Sequence, residues 1–205
     1  FSLGLVLVVI GGAELFAGSN LIVMAWASGK ISAKALLRNW LIVYLGNFVG
    51  AVSTALLVFL SKQYIFSDGG VGITALNIAN SKVELEFIPA LVLGILCNAL
   101  VCLAVWLTFS ARSVIDKIAA IIFPISAFVA AGFEHSVANM YFVPMGLFIK
   151  NLDPAFYYST GLALPNLTWG AFFIKNLLPV TIGNIIGGSL FVAGIYWVIF
   201  LREIE

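Results

Sequence analysis

One short segment places four polar side chains together in an otherwise apolar stretch of this chain. It is GFEHSVAN at 132–139, which contains Glu134, the single histidine His135, Ser136 and Asn139. An imidazole exchanges a proton near neutral pH. The flanking sequences IAAIIFPISAFVAA and MYFVPMGLFI are apolar, and an ionisable group in lipid costs about 3 kcal/mol or more. The segment therefore predicts a functional site inside a membrane-embedded helix.

The composition indicates an integral membrane protein. Of 205 residues, 62% are hydrophobic and 9% are charged, whereas soluble domains have about 25% charged residues. The formal net charge of +1 excludes the basic surface of a nucleic-acid binder. Cys97 and Cys102 lie in one apolar stretch without a zinc-ligand spacing, so we expect them to pack as small hydrophobic side chains. No metal site and no cofactor is predicted.

Three segments are long and apolar enough to cross a bilayer, which takes about 20 residues. They are 39–60, 87–109 and 176–201. Two further segments, 1–28 and 118–149, are interrupted by GGAELFAGSN and by GFEHSVAN. Non-helical backbone at this depth must be buried in protein or line a wet cavity. We expect two broken spans, and loops at 61–86 and 150–175.

The cations indicate how the chain is oriented. Alternating spans place one set of Lys and Arg residues in the cytoplasm and the other outside, without a violation. The inner set is Lys30, Lys34, Arg38, Arg112, Lys117 and Arg202, and the outer set is Lys62, Lys82, Lys150 and Lys175. The carboxyl terminus is then cytoplasmic.

An internal repeat relates the two broken spans. RNWLIVYLGNFVGA at 38–51 and KNLLPVTIGNIIGG at 175–188 share [RK]-N-x-L-x-V-x-x-G-N-x-x-G at an offset of 137. GAELFAGSN at 12–20 and GFEHSVAN at 132–139 both begin G-x-E and end in Asn. Repeated broken helices point to a transport site.

The repeat predicts the fold. The second copy has a whole helix before its broken one and the first has none, so we expect a further helix before Phe1. Six spans in two sets of three make the copies inverted. The predicted fold is all-α integral membrane, a single channel domain with an inverted 3+3 repeat. Its first copy lies at 1–60 and its second at 87–201.

The breaks are expected to favour an anion, because each exposes unpaired N–H groups at a positive helix end. We interpret Glu14 and Glu134 as caps of those groups. Asn47 and Asn184, each within G-N-x-x-G, are predicted to brace the breaks from a neighbouring helix.

His135 is predicted to donate a proton to a weak-acid anion or to hold a hydrogen bond to it. Asn98, in the middle of an apolar helix, is a second polar candidate for the same chamber.

The motifs GAELF, GFEHSVANM and PVTIGNIIGG together resemble the formate/nitrite transporter family of microbial anion channels along the whole chain. VCLAVWLTFSARSVIDK favours its formate-channel branch. The resemblance implies a homopentamer in the inner or plasma membrane of a bacterium or archaeon, with an aquaporin-like protomer and a pore in each subunit. It implies formate as substrate, with nitrite, acetate, lactate or hydrosulfide as alternatives.

The resemblance also implies roles for individual residues. His135 would be the central histidine and Asn139 its partner, while Asn98 and the vestibule residue Lys82 would add polar contacts. The apolar constrictions would be Phe1, Leu5, Leu15, Phe16, Val101 and Phe128. The gating loop would be Glu14, Leu15, Phe16, Ala17, Gly18, Ser19 and Asn20. Where the family usually has threonine this chain has Ala17, so a hydroxyl bond to the histidine is lost unless Ser19 or a water supplies it.

Two other classes of function remain as alternatives. A water or glycerol channel has broken helices, but its Asn-Pro-Ala pair is absent from both breaks. A membrane-embedded enzyme would have to use Glu134, His135 and Ser136, yet adjacent residues on a turn do not form a nucleophile–base pair. The sequence also contains no H-E-x-x-H. It therefore favours anion passage, passive or coupled to protons.

Overall fold

The computed structural model describes residues 2–202, and every regular element in that range is helical. The shorter helices are α1 (Ser2–Gly11), α2 (Phe16–Ser19), α3 (Val23–Ala27), α5 (Gly70–Glu84), α7 (Val114–Ala130), α8 (Ser136–Leu152) and α9 (Pro154–Ser159). The long helices are α4 (Ala33–Leu60), α6 (Phe87–Phe109) and α10 (Trp169–Leu201). Short 3₁₀ turns lie at Asn20–Ile22 and Gln63–Ile65.

The three long helices are the three that can cross a membrane by length and composition. They contain the predicted uninterrupted spans, although α4 and α10 both begin earlier than the hydrophobic pattern indicates. The first broken span is also present: Ser2–Gly11 and Phe16–Ala27 pass the same test together and are bent by 59°. The second interruption, at residues 131–135, separates α7 from α8.

The predicted loops at 61–86 and 150–175 are wrong, because they contain α5, α9 and the first turns of α10. Helix α5 was not predicted because its sequence, GVGITALNIANSKVE, is too polar for a membrane span. It is amphipathic instead: Gly72, Leu76, Ala79 and Val83 are buried at helical spacing, which is the pattern of a helix that packs through one face.

The described chain divides into two compact units. The first contains residues 2–47, 91–135 and 180–202, and the second contains 48–90 and 136–179. Each unit takes segments from both sequence repeats, so a repeat is not itself a compact unit. Both breaks lie in the first unit.

Close helix packing holds the first unit together. A Cβ at Gly183 would overlap the carbonyl oxygen of Leu91, and one at Gly187 would overlap that of Ile95. The glycines of the second G-N-x-x-G motif therefore let α10 approach the backbone of α6. Tyr44 Oη and Thr181 Oγ1 lie 2.9 Å apart. These two residues occupy equivalent positions in the repeat.

The second unit is built on the contact between α5 and α8. Gly146 faces Ala79 so closely that a Cβ at position 146 would overlap the Ala79 side chain. Asp153 accepts a hydrogen bond from the Phe156 N–H at 3.1 Å and thereby caps α9, and it accepts a second from Tyr64 Oη at 2.5 Å. These bonds fix the chain that follows α8.

Candidate functional site

The first break is held by an asparagine from α4. Gly12, with φ +76°, ends α1, and the chain is non-helical until α2 begins at Phe16. Asn47 Oδ1 accepts from the Phe16 N–H at 2.9 Å, and Asn47 Nδ2 donates to the Glu14 carbonyl at 3.1 Å. One side chain therefore satisfies backbone groups on both sides of the break.

The predicted capping role of Glu14 is replaced by this arrangement. The Glu14 carboxylate accepts from Asn39 Nδ2 at 3.0 Å, while the cap of the Phe16 N–H is Asn47 Oδ1. Glu14 is exposed and lines an open pocket of about 550 Å³ whose other walls come from residues 35–47 of α4. The Glu14 carboxylate is therefore bonded to α4, and the side-chain cap of Phe16 comes from Asn47.

The second break is held in a similar way, by an asparagine from α10. Gly132, with φ +69°, follows α7. Asn184 Nδ2 donates to the Glu134 carbonyl at 3.0 Å and to the Gly94 carbonyl at 2.8 Å. The Glu134 N–H donates to the Leu93 carbonyl at 3.3 Å. The backbone of this break is thus fixed by α6 and α10 together.

The ionisable side chains of the second break are buried. Glu134 is 2% exposed and His135 is 1% exposed. The rings of His135 and Phe128 stack with centroids 6.0 Å apart. Helix α8 begins at Ser136, so the positive end of a 17-residue helix directly follows the imidazole. The imidazole therefore lies buried in the break, immediately before the first residue of α8.

Asn98 links the first break to α10. Its Nδ2 donates to the Ala17 carbonyl at 3.2 Å and to the Asn184 carbonyl at 2.6 Å. Its Oδ1 is buried and accepts no hydrogen bond within residues 2–202. The side chain therefore supports the first unit through its nitrogen and presents its oxygen as an acceptor.

The apolar residues implied as constrictions are buried wherever the structure describes them. The ring of Phe16 packs edge-on against Tyr44 with centroids 4.8 Å apart. The buried residues, all in the first unit, are Leu5, Leu15, Phe16, Val101 and Phe128. Phe1 lies outside the described residues. Their role as constrictions stays a prediction.

Two of the predicted polar residues lie in the second unit. Asn139, in the first turn of α8, donates to Asn176 Oδ1 at 2.8 Å, and Asn176 Nδ2 donates to the Lys82 carbonyl at 2.9 Å. Lys82 is half-buried near the end of α5. Asn176 is not among the predicted site residues, although its K-N pair matches the R-N pair that contains Asn39 in the first repeat.

Comparison with known proteins identifies the architecture. The model of the family described as formate/nitrite transporter matches residues 1–198. The chain belongs to the formate/nitrite transporter family. The family resemblance drawn from the motifs is thus confirmed.

Individual relatives match along nearly the whole chain. The formate channel FocA of Escherichia coli strain K12 is 51% identical over 207 residues, which cover 99% of this chain and 73% of that protein. FocA of Haemophilus influenzae is 44% identical over 194 residues, which cover 93% of this chain and 68% of that protein.

A solved structure described as a pentameric formate channel with formate bound matches with a TM-score of 0.90 and 47% identity. That match covers 98% of this chain and 80% of the other. The all-helical membrane fold is therefore confirmed as the fold of this family. Its named relatives are channels and transporters, so the chain is a membrane transporter.

Proposed function

We propose that this chain forms a channel for formate and similar small monovalent anions, as a homopentamer with a pore through each protomer. The 51% identity to a formate channel supports the substrate, and the likeness to a structure described as pentameric with formate bound supports the assembly. The family and its bacterial relatives support a location in the inner or plasma membrane of a bacterium or archaeon. The distribution of cations supports a cytoplasmic carboxyl terminus.

The burial of His135 at a helix break is the observation that carries the proposal. A protonated imidazole can transfer its proton to a formate oxygen, which leaves a neutral imidazole and neutral formic acid. Neutral formic acid crosses apolar constrictions such as Leu15, Phe16 and Phe128 at a lower free-energy cost than formate does. On the far side the acid releases its proton to water, and the imidazole takes up a new proton from water on the entry side, so that one proton crosses with each formate.

The neighbouring groups suit weak and reversible binding. The buried Asn98 Oδ1, in the same unit as His135, can accept a hydrogen bond from the hydroxyl of the acid. A pore needs sites that attract an ion without trapping it. Dipole ends and amides meet this need better than a fixed cation does.

Flux measurements in proteoliposomes test the proposal. We expect vesicles that contain the protein to swell in sodium formate, and to take up formate faster when an inward proton gradient is applied. Protein-free vesicles and an impermeant anion such as gluconate are the controls. Swelling in glycerol without formate uptake would contradict an anion channel and favour the neutral-solute alternative.

The proposed assembly is tested separately by native mass spectrometry in detergent. A pentamer is the expected species. A stable dimer or tetramer would contradict it without bearing on the substrate.

A further inference from the structure

The carbonyl oxygen of Ala17 accepts hydrogen bonds from three side chains. Asn98 Nδ2 lies 3.2 Å away, and Asn20 Nδ2 and Cys102 Sγ each lie 3.3 Å away. All four residues are fully buried. A carbonyl oxygen has two lone pairs, so three donors are more than the backbone needs to be satisfied.

A glycine of α10 makes room for these donors. A Cβ at Gly188 would lie 2.5 Å from Asn98 Nδ2, 2.8 Å from Cys102 Sγ and 2.8 Å from the Cβ of Asn20. On the same helix, Ser189 Oγ donates to Asn20 Oδ1 at 3.4 Å. Gly188 and Ser189 belong to a π-helical stretch of α10, an irregularity often found at functional positions.

The segment that contains Ala17 is irregular enough to change its packing. It consists of the four-residue α2, the 3₁₀ turn Asn20–Ile22 and the five-residue α3, and a 3₁₀ turn within a helix often marks a hinge. Leu15 and Phe16 lie at its amino-terminal end and are only 9% and 3% exposed. A movement of this segment therefore displaces both apolar side chains.

We propose that Asn98 and Cys102, both on α6, form a latch on the Ala17 carbonyl, that Gly188 leaves the space for it, and that its release opens the pathway at Leu15 and Phe16. The proposal rests on the proposed function as an anion channel. It gives Cys102 and Gly188 a positioning role, in which they act on the break through Ala17 and do not contact the anion.

Because the Ala17 carbonyl has more donors than it needs, loss of one donor should affect gating more than folding. When Cys102 loses its thiol, the Ala17 carbonyl keeps both amide donors, so the fold retains its backbone hydrogen bonding. The equilibrium between the latched and released states still changes, because the thiol is a weak hydrogen-bond donor. Variants at Cys102 should therefore alter flux more than they alter stability.

The paired variants Cys102→Ala and Cys102→Ser test the latch in proteoliposomes. We expect Cys102→Ala to raise maximal formate flux about threefold, the change in an equilibrium constant expected for one weak hydrogen bond. The formate concentration at half-maximal flux should stay the same, because the anion site is untouched. Cys102→Ser should restore the flux of the original protein, since its hydroxyl can donate to Ala17.

Gly188→Ala tests the space that the latch needs. Its methyl group displaces Asn98 and Cys102 together, so we expect a rise in maximal flux of about tenfold. Gly170→Ala is the matched control, because the added Cβ on the same helix meets nothing closer than 4.0 Å and should leave the flux unchanged. If Gly188→Ala does not assemble, the Cys102 pair decides alone.

Two results would overturn the latch. One is a folded Cys102→Ala protein whose flux equals that of the original. The other is a Cys102→Ser protein that behaves like Cys102→Ala, because volume and not hydrogen bonding would then be the cause. Absence of formate flux in the original protein would instead contradict the proposed function, so the two failures are distinguishable.

Discussion

The two breaks have the same backbone support and different side chains. Each follows a left-handed glycine, Gly12 or Gly132. In each, the carbonyl of the glutamate accepts from an asparagine of a G-N-x-x-G motif at 3.1 or 3.0 Å. The shared geometry shows what an interrupted helix requires: a residue that tolerates positive φ and an amide that replaces the missing helical hydrogen bonds.

The two breaks differ in the burial of the glutamate, in the residue after it and in the helices that follow. In the first break an exposed Glu14 is followed by Leu15 and by helical pieces of four and five residues. In the second, a buried Glu134 is followed by His135 and by the 17-residue α8. One break presents an apolar side chain before short helical pieces, and the other presents an imidazole before a single long helix. From this difference we expect movement in the first break and proton exchange at the second.

Replacing His135 should produce the largest difference between the breaks. His135→Asn keeps a hydrogen-bonding side chain but cannot supply a proton, so we expect formate uptake driven by a proton gradient to fall about 100-fold. The passive anion current should survive. Leu15→Asn places the same amide at the equivalent position of the first break, and there the coupling of uptake to protons should persist.

Uptake and current have to be measured in parallel for both variants. Equal loss of uptake and current in His135→Asn would end the proton-relay interpretation and leave His135 as a structural ligand. Loss of coupling in Leu15→Asn would show that the two breaks share the proton chemistry.

Removal of the supporting amides should have an intermediate effect. Asn184→Ala removes a donor from two buried carbonyls, those of Gly94 and Glu134, and should lower the free energy of unfolding by about 3 kcal/mol. Asn47 is only half-buried, so Asn47→Ala should cost about 1 kcal/mol, as loss of a helix cap does. Denaturant unfolding in detergent measures both. Equal losses of unfolding free energy would mean that both breaks depend equally on their supporting amide.

The smallest effect is expected at the left-handed glycine, which both breaks share. An added Cβ at Gly12 or Gly132 meets nothing within 4 Å, so the cost of alanine is conformational only. Gly12→Ala and Gly132→Ala should each lower the free energy of unfolding by about 1 kcal/mol. Asparagine at either position should recover part of that loss, because it tolerates positive φ. A clear inequality between the two alanine variants would show that the glycines are not equivalent.

The sequence predicted the spans and breaks because interruptions of an apolar stretch by glycine and acid are visible along one dimension. The repeat also singled out Asn47 and Asn184, which the structure places against the glutamate carbonyls. Helix α5 was missed because it buries one face against protein, and its composition resembles that of a loop.

The sequence did not predict the hydrogen bonds between residues that lie far apart in the chain. Glu14 was interpreted as a cap because an acid in the break can accept from the unpaired N–H groups. The cap of Phe16 comes instead from Asn47, 31 residues later. Cys102 was expected only to pack, yet its thiol reaches a carbonyl 85 residues away. Nothing local in the sequence shows which side chain a fold brings to a given backbone group.

The hydrogen bond between Tyr44 and Thr181 joins two residues 137 positions apart, the offset of the repeat. In a dimer of identical chains, a residue on the twofold axis meets its own copy and must complement itself. A polypeptide that contains both halves escapes this restriction, because each half mutates independently. A phenol paired with a shorter alcohol is a combination that two identical chains cannot form on their axis. A chain that contains both halves likewise permits a leucine at position 15 where the other half has an imidazole at position 135.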